Sequence, residues 1–208
     1  MEGVQRFVYL GSQLDSANGS RTEQLRRIGI AASTMSRLSR VWHQSHLTLT
    51  TRLRLYMSLV VPVLLYGSET WTTTKADIAR LQAFHMRCQR RILGVHWYDH
   101  ITNVAIASQT RLPHIANIIA QRRYSLFGHV VRLPALTPGN MALKLCRDVS
   151  VGRRIPSNWK RPRGRPRLTW ISQFKADTGV PVATSWSRAL DRRVWSVGAT
   201  ALRGYLVQ

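Results

Sequence analysis

Apolar residues recur at helical spacing along most of the first 135 residues of the chain. After Ser20 they fall at positions that repeat with the period of an α-helix. These positions are Leu25, Ile28, Ala32, Met35, Leu38 and Trp42. Because Glu23 follows Ser20 by three positions, the pair has the form of a capping box. The pattern therefore predicts a helix that begins after Ser20 and carries arginines on its other face. Those arginines are Arg21, Arg26, Arg27, Arg37 and Arg40.

Two further helices follow this first one. A stretch that starts near Thr50 is apolar on nearly all sides, so we expect it to be buried, and Pro62 should kink or end it. The next helix has Thr74 as its N-cap and Gly94 as its C-terminal stop. Its apolar positions are Ile78, Leu81, Phe84, Cys88 and Ile92.

Helical patterns also continue after residue 95. A short helix is predicted over residues 102–110, with Asp99 at its N-terminal cap, and a longer one follows Pro113. Beyond residue 134 the prolines and Gly139 interrupt the pattern, which indicates a domain boundary or linker. Short helices are predicted again over residues 168–176 and 184–197.

The N-terminal run over residues 6–14 has the aromatic and β-branched composition of a strand and is followed by a turn-rich segment. We predict one short strand whose partner is missing and whose edge is unprotected. The expected fold class is thus mainly α, a small helical bundle with one short N-terminal strand and an Arg-rich, partly disordered C-terminal region. The predicted boundaries are 1–19 for the strand and turn, 20–95 for a helical domain, 96–135 for a helical extension and 136–208 for the basic region.

Charge changes this picture more than any other property of the composition. The chain has 208 residues, with 31 Lys and Arg against 9 Asp and Glu, for a formal net charge of +22. Only four of the cations are lysines, so 27 are arginines, whose planar guanidinium suits phosphate oxygens and base edges. Such a charge favours a polyanionic partner. We therefore expect the partner to be nucleic acid, as DNA, RNA or a hybrid.

Several other classes of protein are not indicated. Cys88 and Cys146 lie far apart, without the spacing of a disulfide framework or a zinc site, which favours a reducing intracellular compartment. The longest apolar run, residues 55–67, is too short to cross a bilayer. We expect no membrane association, no metal, no cofactor and no small-molecule substrate, and we expect the protein to reside in the nucleus.

The strongest local motif lies at residues 160–167, where prolines flank an Arg-Gly-Arg centre. It resembles an AT-hook, in which arginines on either side of a glycine lie along the A·T minor groove. Its residues are Lys160, Arg161, Pro162, Arg163, Gly164, Arg165, Pro166 and Arg167. A solvated basic linker or a nuclear import signal would have the same composition, and non-specific attraction to phosphate needs no groove at all.

Residues for catalysis are few. No two carboxylates are adjacent, so the sequence nominates no cluster for two-metal phosphoryl transfer. His96, Asp99 and His100 form one acid and histidine grouping, and we interpret it as a structural loop. His43 and His46 are interpreted as structural or surface residues.

Read together, several segments resemble the C-terminal part of the reverse transcriptase of non-LTR (LINE-type) retrotransposons. The resemblance covers residues 6–200, and the order and spacing of short motifs carry it. These motifs are FVYLGSQLDS, LRLYMSLVVPVLLYGSETW, RCQRRILGVHWYDHITN, RRYSLFGHVVRLP, GRPRLTWI and ALDRRVW.

This resemblance implies an origin and a partner. Residues 1–19 would correspond to the hairpin at the end of the palm, with Tyr9, Leu10 and Gly11 in it. Residues 20–95 would correspond to the thumb that cradles the template–primer duplex. The family's fingers, palm and paired catalytic aspartates lie upstream of this hairpin, so we expect no DNA synthesis by this chain alone.

The sequence leaves three interpretations of function open. The first is a non-catalytic nucleic-acid-binding remnant, with helix arginines on phosphate and the AT-hook-like segment in a groove. The helix candidates are Arg26, Arg27, Arg87, Arg90, Arg91, Arg122 and Arg123. The second is part of a reverse transcriptase that is active only with a palm-bearing chain. The third is a fragment with no selected function.

Overall fold

Helices dominate the computed structural model, which describes residues 6–9, 11–15, 20–152 and 168–205. Up to residue 116 they are α1 (Arg21–Arg37), α2 (Ser39–Trp42), α3 (Leu49–Leu55), α4 (Val61–Leu64), α5 (Lys75–Leu93) and α6 (Asn103–Thr110). The later ones are α7 (Ile115–Val131), α8 (Pro138–Ser150), α9 (Trp170–Thr178), α10 (Val182–Leu190) and α11 (Arg192–Tyr205). The mainly α fold class is confirmed. The chain divides into two compact units, one ending at Ala116 and the other beginning at Asn117.

The N-terminal run forms a hairpin rather than one unpaired strand. Strands β1 (Arg6–Tyr9) and β2 (Ser12–Asp15) are antiparallel neighbours in a two-stranded sheet. Gly11 lies between them with φ of 75°, a left-handed conformation that glycine adopts without a Cβ penalty. The expectation of a missing strand partner is therefore wrong, because a turn at Gly11 folds the run back on itself.

The predicted capping box of α1 does not form, because both of its side chains bind elsewhere. The Ser20 hydroxyl accepts a hydrogen bond from the Thr72 amide at 3.0 Å and makes no cap bond within the helix. The Glu23 carboxylate accepts from the Gln13 amide of β2 at 2.8 Å and from Arg27 Nε at 2.6 Å. Glu23 thus fixes the hairpin to α1 instead of capping the helix.

The buried face of α1 is also rotated from the predicted one. Leu25 is 47% exposed. The residues that the helix buries are Glu23, Gln24, Arg27, Ala31 and Met35. A polar network on the inner side of the first two turns has displaced the apolar stripe.

Helical backbone continues from Leu49 to Leu64 through one π-turn, Tyr56–Val60. The Val61 amide donates to the Tyr56 carbonyl, five residues back, just before Pro62, which has no amide hydrogen to donate. The irregularity predicted from Pro62 is therefore a wide turn, not a helix end. Burial is one-sided, since Tyr56 and Val60 are enclosed while Leu59 is 44% exposed.

Helix α5 agrees closely with its prediction. Thr74 and Asp77 form a reciprocal capping box, and Gly94 ends the helix in the left-handed region with φ of 71°. Four predicted apolar positions are buried, namely Leu81, Phe84, Cys88 and Ile92. The next helix, α6, is capped by the Thr102 hydroxyl.

The cap that we assigned to Asp99 is wrong. Its carboxylate accepts from the His96 amide at 2.7 Å and closes the short turn Trp97–Asp99 instead.

The second unit contains a helix that the sequence did not reveal. Pro138 occupies the first turn of α8, where a missing amide hydrogen costs nothing, so the prediction that it interrupts the helical pattern is wrong. The Asn140 side-chain amide donates to the carbonyls of Val130, Val131 and Leu133 at 3.1–3.2 Å, which closes the C-terminus of α7. The core of this unit is rich in aromatic rings. It consists of Tyr124, Phe127, Val131, Leu143, Phe174, Val182, Ala189 and Trp195.

Candidate nucleic-acid interface

A basic groove of about 710 Å³ lies at the C-terminal end of α5 in the first unit. The side chains that line it include three arginines, three histidines and one tryptophan. They are Arg87, Arg90, Arg91, His43, His96, His100 and Trp97. Among the described residues that line this groove there is no carboxylate. The structure thus brings together three of the arginines that we predicted to bind nucleic acid.

Arg87 and Arg91 are the accessible cations of the groove. They are one helical turn apart on α5, which places them on the same face, and both side chains are exposed. Neither needs to leave a hydrophobic environment to meet a phosphate. Their guanidinium groups are free to adjust to an incoming oxygen.

Arg90 plays a different part from its neighbours. Its Nη2 donates to the Ile101 carbonyl and to Asn103 Oδ1, each at 2.8 Å. These bonds hold the segment after α5 against the helix. Arg90 therefore shapes one wall of the groove as well as contributing charge to it.

Arg52 of α3 holds the end of α2, which precedes His43, against the end of α5. Its Nη1 donates to the Trp42 carbonyl at 2.9 Å and to the Ile92 carbonyl at 3.0 Å. One guanidinium thus joins the C-terminal ends of α2 and α5. Because His43 directly follows α2, this bridge places it beside the arginines of α5.

Two of the predicted phosphate-binding arginines lie in the interior and have structural roles. Arg27 is 7% exposed and pairs with Glu23, and it also donates to the Gly11 carbonyl. Arg123 is 2% exposed and pairs with Asp177 in the second unit. Buried guanidiniums that carboxylates already hold are not available to phosphate. Neither residue therefore belongs to the candidate interface.

The remaining predicted residues are placed as follows. Arg26 is partly exposed and donates to the Gly11 carbonyl at 3.0 Å, and Arg122 is half-buried on α7 of the second unit. Neither residue lines the groove. The AT-hook-like segment, with Lys160, Arg161, Arg163, Gly164, Arg165 and Arg167, lies outside the described residues.

A second cluster of titratable groups lies in the core of the first unit. Tyr56 Oη and His85 Nδ1 are 2.7 Å apart. Burial, together with the positive charge of His114, lowers the pKa of His85 to about 4. Burial likewise raises the pKa of the Cys88 thiol to about 12 and that of the Tyr56 hydroxyl above its ordinary value. Near pH 7 all three groups are neutral, which fits a core contact and not an activated nucleophile.

Sequence reasoning missed the groove as a site because its parts come from separate segments. His43 follows α2, the three arginines belong to α5, and Trp97 lies in the turn after it. The signal that could have found it is the run of arginines that ends α5, directly followed by an aromatic turn. Within the described residues there is no group of three or more potential metal ligands. None of the described helices has the length and hydropathy needed to span a membrane.

A comparison with known proteins found a similar sequence. It aligns over 207 residues with an uncharacterized transposon-derived protein of Caenorhabditis elegans. The two sequences are 29% identical, and the alignment covers 94% of this chain and 70% of the relative. This similarity supports a transposon-related origin. No protein-family model matches the chain, and no solved structure matches it.

Proposed function

We propose that this protein is a non-catalytic nucleic-acid-binding remnant of a non-LTR retrotransposon reverse transcriptase. The groove at the end of α5 binds the phosphate backbone. The observation that carries this proposal is the concentration of Arg87, Arg90 and Arg91 in one groove whose described lining has no acidic side chain. Guanidinium groups bind phosphate oxygens through two parallel N–H donors, so the groove has the chemistry of a backbone clamp.

The charge of the whole chain supports this assignment. A net charge of +22 creates a positive potential that attracts a polyanion from beyond contact distance. Binding of this kind releases counterions from the nucleic acid and so depends steeply on salt. The groove would supply the fixed contacts, while the rest of the surface would raise the rate of encounter.

The proposed origin rests on the order of motifs along the chain. The transposon-derived relative aligns with nearly the whole chain. The motifs from YLG to ALDRRVW occur in the order and spacing of the C-terminal part of LINE-type reverse transcriptases. The hairpin and the helices that follow it up to residue 95 are consistent with a palm-end hairpin and a thumb.

Five carboxylates of the described residues have structural partners, which supports a binding role without catalysis. Glu23 pairs with Arg27, and Asp77 and Asp99 close a helix cap and a turn. Asp177 pairs with Arg123, and Asp191 accepts from amides at the start of α11. Each of these acids already has a structural partner. We propose that chemistry on nucleic acid, if the chain takes part in it, requires a palm-bearing polymerase chain as partner.

The AT-hook-like segment adds a second proposed contact. Arg163 and Arg165 would enter the minor groove of A·T-rich duplex, with Lys160, Arg161 and Arg167 on the flanking phosphates. A basic segment of this composition also suits nuclear import, and we propose the nucleus as the site of action. These contacts are independent of the groove in the first unit.

Replacing Arg87 and Arg91 together with glutamine tests the groove. We expect the affinity for duplex DNA to fall about ten-fold at constant salt, since charge-assisted hydrogen bonds are lost. The slope of log affinity against log salt should become shallower by about 2, or about 1 for each phosphate contact. Fluorescence anisotropy at four or more salt concentrations measures both quantities.

The matched control replaces Arg21 and Arg37, two exposed arginines of α1 that do not line the groove. The control has the same net charge as the test variant. Equal losses in the two variants would contradict the proposal, because the arginines would then act only through total charge. Binding by the wild-type chain that does not change with salt would contradict it more broadly.

A further inference from the structure

Trp97 has a position that backbone binding alone does not explain. Its indole is 85% exposed, although large aromatic side chains gain much free energy from burial. It also lines the same groove as Arg87 and Arg91. Proteins that bind single-stranded nucleic acids combine a wide aromatic surface with cations that bind the phosphates.

The turn that carries Trp97 is held in place at both ends. On one side the Asp99 carboxylate accepts from the His96 amide at 2.7 Å. On the other side Arg90 holds the Ile101 carbonyl at 2.8 Å, and the Thr102 hydroxyl caps α6. Because these bonds fix the turn without any ligand, little ordering would be needed when a ring stacks on the indole.

Neighbouring rings leave the indole open for stacking. Tyr98 meets Trp97 edge-on, with centroids 5.8 Å apart and an interplanar angle of 75°. Tyr98 stacks instead on His96, at 5.1 Å and 12°. The pair His96 and Tyr98 therefore supports the turn, while Trp97 extends into solvent.

We propose that Trp97 is a stacking platform for an unpaired base, so that the groove binds single-stranded nucleic acid or a frayed strand end. This inference rests on the proposed function, because it assigns a base to the groove whose arginines hold the phosphates. In a duplex each base is covered on both faces by its neighbours and offers only its edges. Unpaired bases have free faces, and stacking on an aromatic side chain stabilises them by about 1–3 kcal/mol each.

Three probes with equal numbers of phosphates test this assignment on the full chain. They are a single-stranded DNA, a duplex of half its length, and a single strand that has abasic sites in place of its bases. Trp97→Ala should weaken binding of the normal single strand about five- to 150-fold. Binding of the duplex and of the abasic strand should change less than two-fold, and the salt slope should be unchanged because no phosphate contact is lost.

Two further variants separate stacking from loss of structure. Trp97→Phe keeps an aromatic face and should restore most of the affinity for the single strand. Val104→Ala removes another highly exposed side chain, 76% accessible on α6, and should have no effect on any probe. An equal loss on all three probes after Trp97→Ala, or no loss on any, would overturn the stacking proposal. The proposed function would survive either result as long as Arg87→Gln with Arg91→Gln still reduces the salt slope.

The AT-hook-like segment could mask a change in the groove, so the series is repeated with Arg163 and Arg165 both replaced by alanine. The same selective effect of Trp97→Ala is expected in this background. If Trp97→Ala no longer weakened single-strand binding selectively in this background, the stacking would not occur in the groove, and the assignment would be overturned.

Discussion

Replacing Asp177 with alanine will destabilise the second unit by about 3 kcal/mol, because it leaves the buried Arg123 guanidinium without its counterion. The Arg123 side chain is 3% exposed and that of Asp177 is 26% exposed, so the pair is largely removed from water. The Gln173 side-chain oxygen still accepts from Arg123 Nη2 at 3.1 Å, but a neutral amide cannot balance the charge. Chemical denaturation followed by circular dichroism measures the free energy of unfolding.

The matched control is Asp148→Ala, which removes the carboxylate from a more accessible pair. Arg147 and Asp148 are 21% and 23% exposed, and we expect a loss of less than about 1 kcal/mol. Replacing Arg123 with methionine in the Asp177→Ala background should recover part of the lost stability, since the buried charge is then gone. Equal losses of unfolding free energy in the two aspartate variants would show that the buried Arg123–Asp177 pair stabilises the fold no more than the accessible pair does.

Acidification will destabilise the first unit through His85. Its folded-state pKa is lowered to about 4 from an ordinary value of 6.5, so the unfolded chain takes up the proton first. The stability associated with neutral His85 is therefore complete above pH 6.5 and is lost as the pH falls from 6.5 towards 4. A shift of this size corresponds to about 3 kcal/mol. Burial also lowers the pKa of His114, which acts in the same direction.

Comparison with His85→Gln isolates this effect from the other titrating groups. The variant cannot be protonated at this position, although it loses the contact with Tyr56 Oη and starts from a lower stability. The stability difference between wild type and variant should narrow by about 3 kcal/mol between pH 7 and pH 4. A difference that stays constant over this range would show that His85 is not held neutral in the folded state.

Local signals in the sequence were sufficient to predict the helices with clear ends. Helix α5 has a capping box at Thr74 and a glycine at its C-terminus, and both act within one turn of chain. Helix α6 begins after Thr102 as the spacing predicted, although Thr102 and not Asp99 caps it. Signals that depend on neighbouring residues alone are thus readable from the sequence.

The failures arise where distant residues decide the outcome. Glu23 leaves its expected cap because the amide of Gln13 and the guanidinium of Arg27 compete for it. Arg123 pairs with Asp177, 54 residues further along the chain, so its burial has no local signature. The periodic pattern alone predicts that Arg27 and Arg123 lie on solvent-exposed helix faces.

The groove was predictable only in part, for the same reason. Arg87, Arg90 and Arg91 were candidates because they share one helix. Trp97 was not a candidate, because the sequence does not show whether a tryptophan is buried in the core or exposed in a turn. The bridge from Arg52 to the ends of α2 and α5, which adds His43 to the groove, depends on folding.

Photocrosslinking locates the contact with nucleic acid most directly. The wild-type chain is irradiated with single-stranded and duplex DNA that contain 5-iododeoxyuridine, digested with trypsin and analysed by mass spectrometry. Cleavage after Arg91 and Arg111 releases residues 92–111, which contain the turn with Trp97. We predict DNA adducts on this peptide. In the variant Arg87→Gln with Arg91→Gln, trypsin cuts after Arg90 and the corresponding peptide spans residues 91–111, on which we predict fewer adducts at constant total binding. Adducts that occur elsewhere on the chain and never on residues 92–111 would contradict the assignment of the groove as the nucleic-acid interface.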